Sequence, residues 1–157
     1  MKYLILFIAC LLLSFQLFTI QSVIKDIEAL QQVKELPYTP KNKVLGIQIT
    51  QAIIQVETGG KSVKGKSGEF GVAQFLPSTW RSYTSKYMGT TTLPITPENE
   101  FEVLTLHNEY LLNKGYTIRD VILVHNQGSK GACRRGINKH NVRYDSCAYV
   151  QSVMNKL

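Results

Sequence analysis

Apolar residues recur at helical spacing along most of the chain, and glycine or proline separates the segments. The clearest such segment is KVLGIQITQAIIQVE, which ends at Glu57 and is followed by Thr58 and two glycines. Its apolar positions share one helical face: Leu45, Ile49, Ala52, Ile53 and Val56. Because glycine ends many helices at their C-terminus, the pattern predicts a buried helix whose last residue is Glu57.

An irregular segment and two further helices are predicted downstream. Lys61 to Val72 is rich in Gly, Ser and Lys and has no helical period, which indicates a loop or a short hairpin. Pro77 suits the first turn of a helix over residues 78–87, because its missing N–H is not needed there. Apolar spacing predicts a longer helix over residues 98–113.

Capping residues mark the last two helices. Thr117 with Asp120 three positions later predicts a capping box at the start of a short, very apolar helix. The polar run HNQGSKG should break that helix, and Asp145 or Ser146 should cap the final one. The whole pattern predicts a compact, mainly α domain of five or six helices with one glycine-rich loop or short hairpin.

The first 22 residues have a different composition from the rest. A single lysine precedes a long apolar run, which is typical of a signal peptide or an N-terminal membrane anchor over residues 1–22. No Ala-x-Ala cleavage site follows, which favours retention as an anchor. Residues 23–42 are predicted to form an amphipathic helix and a proline-containing linker, and residues 43–157 the folded domain. We therefore expect an exported protein of the cell envelope.

Export changes how the charge is interpreted. All 11 acidic residues and all but one of the 18 basic residues follow residue 22, which leaves that part with a charge of +6. Six basic residues cluster near the C-terminus: Lys130, Arg134, Arg135, Lys139, His140 and Arg143. Outside the cytoplasm this cluster favours an anionic cell wall or lipid headgroup as partner over nucleic acid, and a solvated loop is the alternative.

Two cysteines remain beyond the apolar segment, Cys133 and Cys147. An oxidising compartment allows them to form a disulfide, and a loop of this length would stabilise the fold by about 3 kcal/mol. Free thiols are the alternative. The spacing of the two cysteines relative to the histidines does not suit a metal site, so no metal is predicted.

Glu57 is the first candidate for chemistry. Val56 and Ile53 should partly desolvate a carboxylate at this helix end, and desolvation raises a carboxyl pKa. A raised pKa would let Glu57 keep a proton near neutral pH and act as a general acid. The alternative is a surface glutamate that pairs with Lys61 or Lys64.

Four segments, in order across roughly residues 44–154, resemble the lytic transglycosylases of the lysozyme superfamily. They are Glu57-Thr58, then Ser67-Gly68-x-x-Gly71-x-x-Gln74 with Phe75, Pro77 and Thr79, then Val124-His125-Asn126-Gln127-Gly128, and finally Tyr149-Val150-x-x-Val153. Each segment alone is weakly specific, and the four in order are strongly so. One departure is His125, which stands where the family usually has tyrosine.

The resemblance implies a lysozyme-like α+β fold and cleavage of the β-1,4 bond between MurNAc and GlcNAc in peptidoglycan. Glu57 would protonate the glycosidic oxygen and then, as a base, accept a proton from the C6 hydroxyl of the same MurNAc, closing a 1,6-anhydro ring. No cofactor and no second carboxylate would be needed. Seven residues are implied to bind substrate: Ser67, Gly68, Gln74, Phe75, His125, Asn126 and Tyr149. Trp80 is expected in the core.

Two other functions remain open. A hydrolytic muramidase resembling goose-type lysozyme would need a second acid, with Glu69 or Asp145 as candidates, although Asp145 is better explained as a cap. A non-catalytic peptidoglycan-binding component of a secretion or conjugation assembly is the alternative from another class. The expected partners are glycan strands, the membrane through residues 1–22, and secretion, conjugation or phage machinery, but not nucleic acid.

Overall fold

A computed structural model describes residues 40–138 and 140–157. The predicted signal or anchor segment, the predicted amphipathic helix and Lys139 of the basic cluster lie outside these residues. Among the helices that the model describes, none is both long and apolar enough to cross a membrane.

The described residues are mainly helical, as predicted, with two small antiparallel hairpins. The elements in chain order are α1 (Pro40–Glu57), β1 (Val63–Lys64), β2 (Phe70–Gly71), α2 (Pro77–Met88), α3 (Pro97–Asn113), α4 (Ile118–Gln127), β3 (Arg135–Ile137), β4 (Arg143–Asp145) and α5 (Ser146–Met154).

Helix α1 is the central element, and it packs most extensively against α3. It ends at Glu57 as predicted, and Ile49 and Ile53 on its apolar face are fully buried. It begins at Pro40, however, three residues before the expected domain start, so Pro40 opens the helix and does not belong to a linker. Proline suits this position because a first-turn residue needs no N–H partner.

Local capping sets the ends of the other helices. The capping box of Thr117 and Asp120 is confirmed, and the Asp145 carboxylate accepts from the backbone N–H groups at the start of α5, so Asp145 is the cap. The prediction that the polar run HNQGSKG breaks α4 is wrong at its start. The helix continues to Gln127 and ends at Gly128, whose φ of 75° suits a glycine C-cap. His125 and the residues after it are therefore presented from a helix.

The sequence predicted one of the two hairpins and not the other. The predicted short hairpin is present, with Val63 opposite Gly71. The basic cluster, by contrast, contains an unpredicted hairpin in which Arg135 pairs with Asp145 and Ile137 with Arg143. The predicted disulfide between Cys133 and Cys147 closes the base of this second hairpin.

The core collects apolar side chains from all five helices and from the loop after β2. Trp80 is only 4% exposed, and its indole N–H donates to the backbone oxygen of Leu93 at 3.2 Å. Trp80 is therefore a core residue, as predicted.

Candidate active site

A cleft of about 610 Å³ lies beside the C-terminal end of α1. The loop around β2, helices α2 and α4, and the β3–β4 hairpin contribute its remaining walls. Six of the predicted site residues line it: Glu57, Ser67, Gln74, Phe75, His125 and Asn126. Gly68 and Tyr149 are not part of the lining.

The carboxylate of Glu57 is anchored through one oxygen. The Tyr149 hydroxyl donates to Glu57 Oε1 at 2.6 Å, and His125 Nε2 lies 3.5 Å from the same oxygen. The side chain of Glu57 remains 21% exposed. Within the described ranges no hydrogen bond reaches Oε2, so this oxygen is available to a ligand in the cleft.

The predicted rise in the pKa of Glu57 is wrong for the free protein. Burial does raise it, but the hydrogen bond and charge of His125 and the hydroxyl of Tyr149 together lower it further, and the resulting pKa lies below the ordinary value. The prediction included the apolar neighbours on α1 and lacked the two partners from α4 and α5. Glu57 is therefore ionised at neutral pH when the cleft holds no substrate.

Tyr149 donates its hydrogen bond to Glu57 from outside the cleft lining. Burial and the neighbouring Glu57 charge raise the pKa of Tyr149 well above its ordinary value, so the phenol stays protonated and donates. The imidazole of His125 stacks on the Tyr149 ring at a centroid distance of 6.4 Å and meets Phe75 edge-on at 6.2 Å. These contacts fix the ring that stands where the resembled family usually has tyrosine.

The side-chain amide of Gln74 donates its hydrogen bonds within the protein. Its Nε2 donates to the backbone oxygens of Val63 at 3.1 Å and Gly71 at 2.8 Å, which ties β1 to the turn after β2. The residue has a φ of 54°, in the left-handed region. The resemblance implied that Gln74 binds substrate. Since both amide hydrogens have backbone acceptors, only Oε1 remains for a ligand.

A buried glutamate that the sequence analysis missed fixes the same loop. Glu100 on α3 is 0% exposed, and its carboxylate accepts from the backbone N–H groups of Val72 at 3.0 Å and Ala73 at 3.3 Å. Burial raises its pKa, and these two bonds offset part of that rise. A Cβ on Gly71, where φ is 80°, would overlap the Glu100 carboxylate. The available sequence signal was that Glu100 shares a helical face with buried Leu104.

A second missed group lies behind the cleft wall. His107 is buried, and the hydroxyls of Tyr83 and Tyr87 each lie 2.9 Å from one of its ring nitrogens. Burial, with the positive charges of His125 and Lys86, lowers the pKa of His107 to about 3. The ring is therefore neutral, so it donates to one tyrosine and accepts from the other. Tyr83 lines the cleft, and this bond fixes its hydroxyl.

Phe75 supports the cleft from beneath. It is only 2% exposed, and its ring packs against Trp80 at 5.4 Å and Tyr83 at 5.9 Å between centroids. Gly68 is exposed in the adjoining turn with a φ of 94°. Neither residue offers a polar side chain to a ligand, so their part in the site is to shape the loop and its support.

The two candidates for a second acid, Glu69 and Asp145, differ in whether they line the cleft. Asp145 caps α5 and pairs with Arg135 at 2.8 Å, and it does not line the cleft. Glu69 does line the cleft, and its Oε2 accepts from the Ser67 backbone N–H at 2.9 Å. Among the described residues, no cluster of three or more His, Cys, Asp or Glu side chains could hold a metal ion.

No known protein family, characterised protein or solved structure matches this chain. What the cleft can do follows from its own side chains. It offers one oriented carboxylate, a second carboxylate in the adjoining loop, and amide and hydroxyl groups that suit a polar, uncharged ligand such as a sugar.

Proposed function

We propose that the protein is a peptidoglycan lytic transglycosylase with a lysozyme-like α+β domain. The observation that carries this proposal is Glu57, a carboxylate anchored through Oε1 at the cleft with Oε2 open to a ligand. The motifs in the sequence also support the proposal, because residues from three of them line the same cleft. These residues are Glu57, Ser67, Gln74, His125 and Asn126.

The reaction begins with protonation of Glu57. A glycan strand that fills the cleft displaces water, and the added desolvation favours the neutral carboxyl group. Glu57 then donates this proton to the glycosidic oxygen as the bond to C1 of MurNAc breaks. The substrate's own N-acetyl oxygen stabilises the positive charge at C1. The Glu57 carboxylate next accepts the proton of the C6 hydroxyl, O6 bonds to C1, and a 1,6-anhydro ring forms without water.

The neighbouring groups orient the carboxylate and the sugar. Tyr149 and His125 hold Glu57 Oε1, which leaves Oε2 for proton transfer. Asn126, which is exposed on the cleft, and the Oε1 atom of Gln74 offer hydrogen bonds to N-acetyl or hydroxyl groups. Ser67 contributes a hydroxyl on the opposite loop.

A hydrolytic muramidase is the second candidate because Glu69 lines the same cleft as Glu57. In that reaction Glu69 would activate water or stabilise the sugar cation, as the second carboxylate of a glycosidase does. Its hydrogen bond from the Ser67 backbone gives Glu69 a structural task in the loop, which favours the single-carboxylate mechanism.

Mass spectrometry of digested peptidoglycan tests the proposal. We expect muropeptides that end in 1,6-anhydro-MurNAc, one water lighter than hydrolysis products and resistant to borohydride reduction. Glu57→Gln keeps an oxygen for Tyr149 and removes the acid, so its activity should fall at least about a hundredfold with the melting temperature preserved. Glu69→Gln is the matched variant and should remain near wild type.

Three other results would each contradict part of this proposal. Reducible ends, together with an inactive Glu69→Gln variant, would identify a muramidase. Sedimentation with peptidoglycan without any cleavage would identify a binding component of a secretion or conjugation assembly. Glu57→Gln activity within a few-fold of wild type would remove Glu57 from the reaction.

We propose an exported location in the cell envelope, with glycan strands as the partner and residues 1–22 as the link to the membrane. The proposed setting is secretion, conjugation or phage machinery. The disulfide supports export, because such bonds persist in oxidising compartments.

A further inference from the structure

A buried histidine connects two tyrosines on the same side of α2. Tyr83 and Tyr87 are four positions apart and therefore project from one face of the helix. His107 on α3 lies between their hydroxyls, with its Nε2 2.9 Å from the Tyr83 oxygen and its Nδ1 2.9 Å from the Tyr87 oxygen. Tyr83 lines the cleft and Tyr87 does not, so the histidine joins the cleft wall to the residues behind it.

Packing and the two hydrogen bonds hold the His107 ring in place. The residue is 7% exposed, and its ring stacks on Tyr83 at 4.0 Å and meets Tyr87 at 5.9 Å between centroids. Because burial keeps the imidazole neutral, it has a single N–H, which donates to one tyrosine while the other nitrogen accepts from the second. Burial also raises the pKa of both tyrosines, so each phenol keeps its hydrogen.

The direction of these two hydrogen bonds decides what Tyr83 offers to a ligand. In water a neutral histidine side chain favours the form with its proton on Nε2, and we assign that form to His107. Nε2–H then donates to the Tyr83 oxygen, and Nδ1 accepts the hydrogen of Tyr87. The hydroxyl hydrogen that remains belongs to Tyr83, on the side of the cleft.

Tyr83 lies close to the group that orients Glu57. Phe75 packs edge-on against Tyr83 at 5.9 Å and against His125 at 6.2 Å between centroids, and His125 is 3.5 Å from the Glu57 carboxylate. A single ring therefore separates the tyrosine from the histidine beside the carboxylate. Within residues 40–138 and 140–157 the Tyr83 hydroxyl has no second hydrogen-bond partner, so its hydrogen is available to a molecule in the cleft.

Resting on the proposed function, we infer that the Tyr83 hydroxyl donates a hydrogen bond to an oxygen atom of the bound glycan, and that His107 is the positioning residue that directs it. Tyr87 donates to His107 and His107 donates to Tyr83, and each bond in such a series polarises the next. The cleft thereby gains a directed donor that the sequence motifs did not include. It suits the hydroxyl and N-acetyl oxygens of a neutral sugar.

Binding of a soluble tetrasaccharide of alternating GlcNAc and MurNAc tests the part of Tyr83. Titration calorimetry is carried out on the full chain with Glu57→Gln, which prevents turnover during the measurement. Adding Tyr83→Phe removes the hydroxyl and keeps the ring, so the Kd should rise about fivefold, as expected for the loss of one hydrogen bond. Adding Tyr116→Phe instead removes a hydroxyl outside the cleft lining and should leave the Kd unchanged.

Nitrogen-15 NMR of the Glu57→Gln protein tests the part of His107. The protonated and unprotonated nitrogens of a neutral imidazole have well-separated chemical shifts, and we expect the proton on Nε2. Addition of the tetrasaccharide should move these shifts, because the phenol that accepts from Nε2 then donates to the sugar. His107 does not line the cleft, so the change must pass through Tyr83 and should be absent in the variant that also carries Tyr83→Phe.

A proton on Nδ1 would overturn the inference, because Tyr83 would then donate to His107 and have no hydrogen for a ligand. An unchanged Kd after Tyr83→Phe would also overturn it, while release of 1,6-anhydro products by the wild type would show that the proposed function stands. No binding of the tetrasaccharide, together with no cleavage of peptidoglycan by the wild type, would overturn the proposed function and this inference with it.

Discussion

Glu57 is oriented by contacts that oppose its own protonation. Tyr149 and His125 come from different helices and meet at the same oxygen, and both stabilise the ionised form. A general acid must carry a proton when the substrate is bound. In the proposed reaction the free protein therefore holds the carboxylate in position and ionised, and substrate binding supplies the desolvation that neutralises it.

Replacing His125 by phenylalanine tests this balance. Phenylalanine keeps the ring packing against Phe75 and Tyr149 and removes both lowering effects of His125, so the pKa of Glu57 should rise. The proton-donating form of Glu57 is lost as pH rises through its pKa. The basic limb of the kcat/KM–pH profile should therefore move to higher pH in His125→Phe.

The measurement is kcat/KM for soluble muropeptide strands across the acidic and neutral range. His140→Phe serves as the control, because His140 is exposed and does not line the cleft, and its profile should match the wild type. The position of the limb on the pH axis is the readout, independent of any change in its height. A limb that stays in place would mean that His125 does not set the acidity of Glu57.

Among the elements, the glycine-rich loop owes its shape to a carboxylate from α3. Gly71→Ala should strain the backbone at a φ of 80° and drive a methyl group into Glu100. Gly68→Ala pays the same kind of conformational cost at a φ of 94°, but nothing lies within 4 Å of its new methyl group. Strain costs about 1–3 kcal/mol in either variant, and the overlap at Gly71 adds about 1–3 kcal/mol.

Urea unfolding of the two variants measures this difference directly. Gly71→Ala should have the lower free energy of unfolding of the pair, because the backbone contribution is shared and only Gly71 faces Glu100. Equal losses in the two variants would show that Glu100 leaves room at Gly71 and does not confine the loop.

The disulfide should contribute to stability through the second hairpin. The double variant Cys133→Ser with Cys147→Ser should lose about 3 kcal/mol of unfolding free energy, because the unfolded chain is no longer cross-linked. Reductant should produce a similar loss in the wild type and none in the double variant. Equal stability of oxidised and reduced wild type would contradict this.

The elements that could be predicted are those whose determinants are local. The Thr117 cap, the Asp145 cap and the end of α1 at Glu57 each depend on residues within one helical turn. The task of Glu100 depends instead on a backbone partner 28 positions away. The pKa of Glu57 was mispredicted for the same reason, since its decisive neighbours lie far along the chain.

At the scale of the whole molecule, the positive charge has a definite location. Three basic and three acidic residues precede Pro40, so the net charge of +7 belongs entirely to residues 40–157. On the second hairpin Arg134 and Arg143 are exposed, whereas Arg135 pairs with Asp145. This surface suits an anionic wall polymer, and its attraction should be screened by salt.

Cosedimentation with anionic cell-wall material measures that attraction. We expect binding to weaken as salt rises from low ionic strength to about 0.3 M, where the screening length is well under 10 Å. Arg134→Ala with Arg143→Ala should reduce both the binding and its salt dependence. Lys41→Ala with Lys43→Ala removes the same charge from the start of α1 and should have a smaller effect. Similar losses in the two double variants would mean that net charge, and not the hairpin, drives binding.

The hydrogen bond between Glu57 and Tyr149 limits when during translation the site can form. The two residues are 92 positions apart, and a polypeptide is made from its N-terminus onward. Glu57 is therefore translated long before the helix that supplies its phenol, and Cys133 likewise precedes its sulfur partner on that helix. A nascent chain that stops short of α5 carries the glutamate without its anchor. The anchored Glu57 carboxylate is thus formed late, only after α5 has been translated.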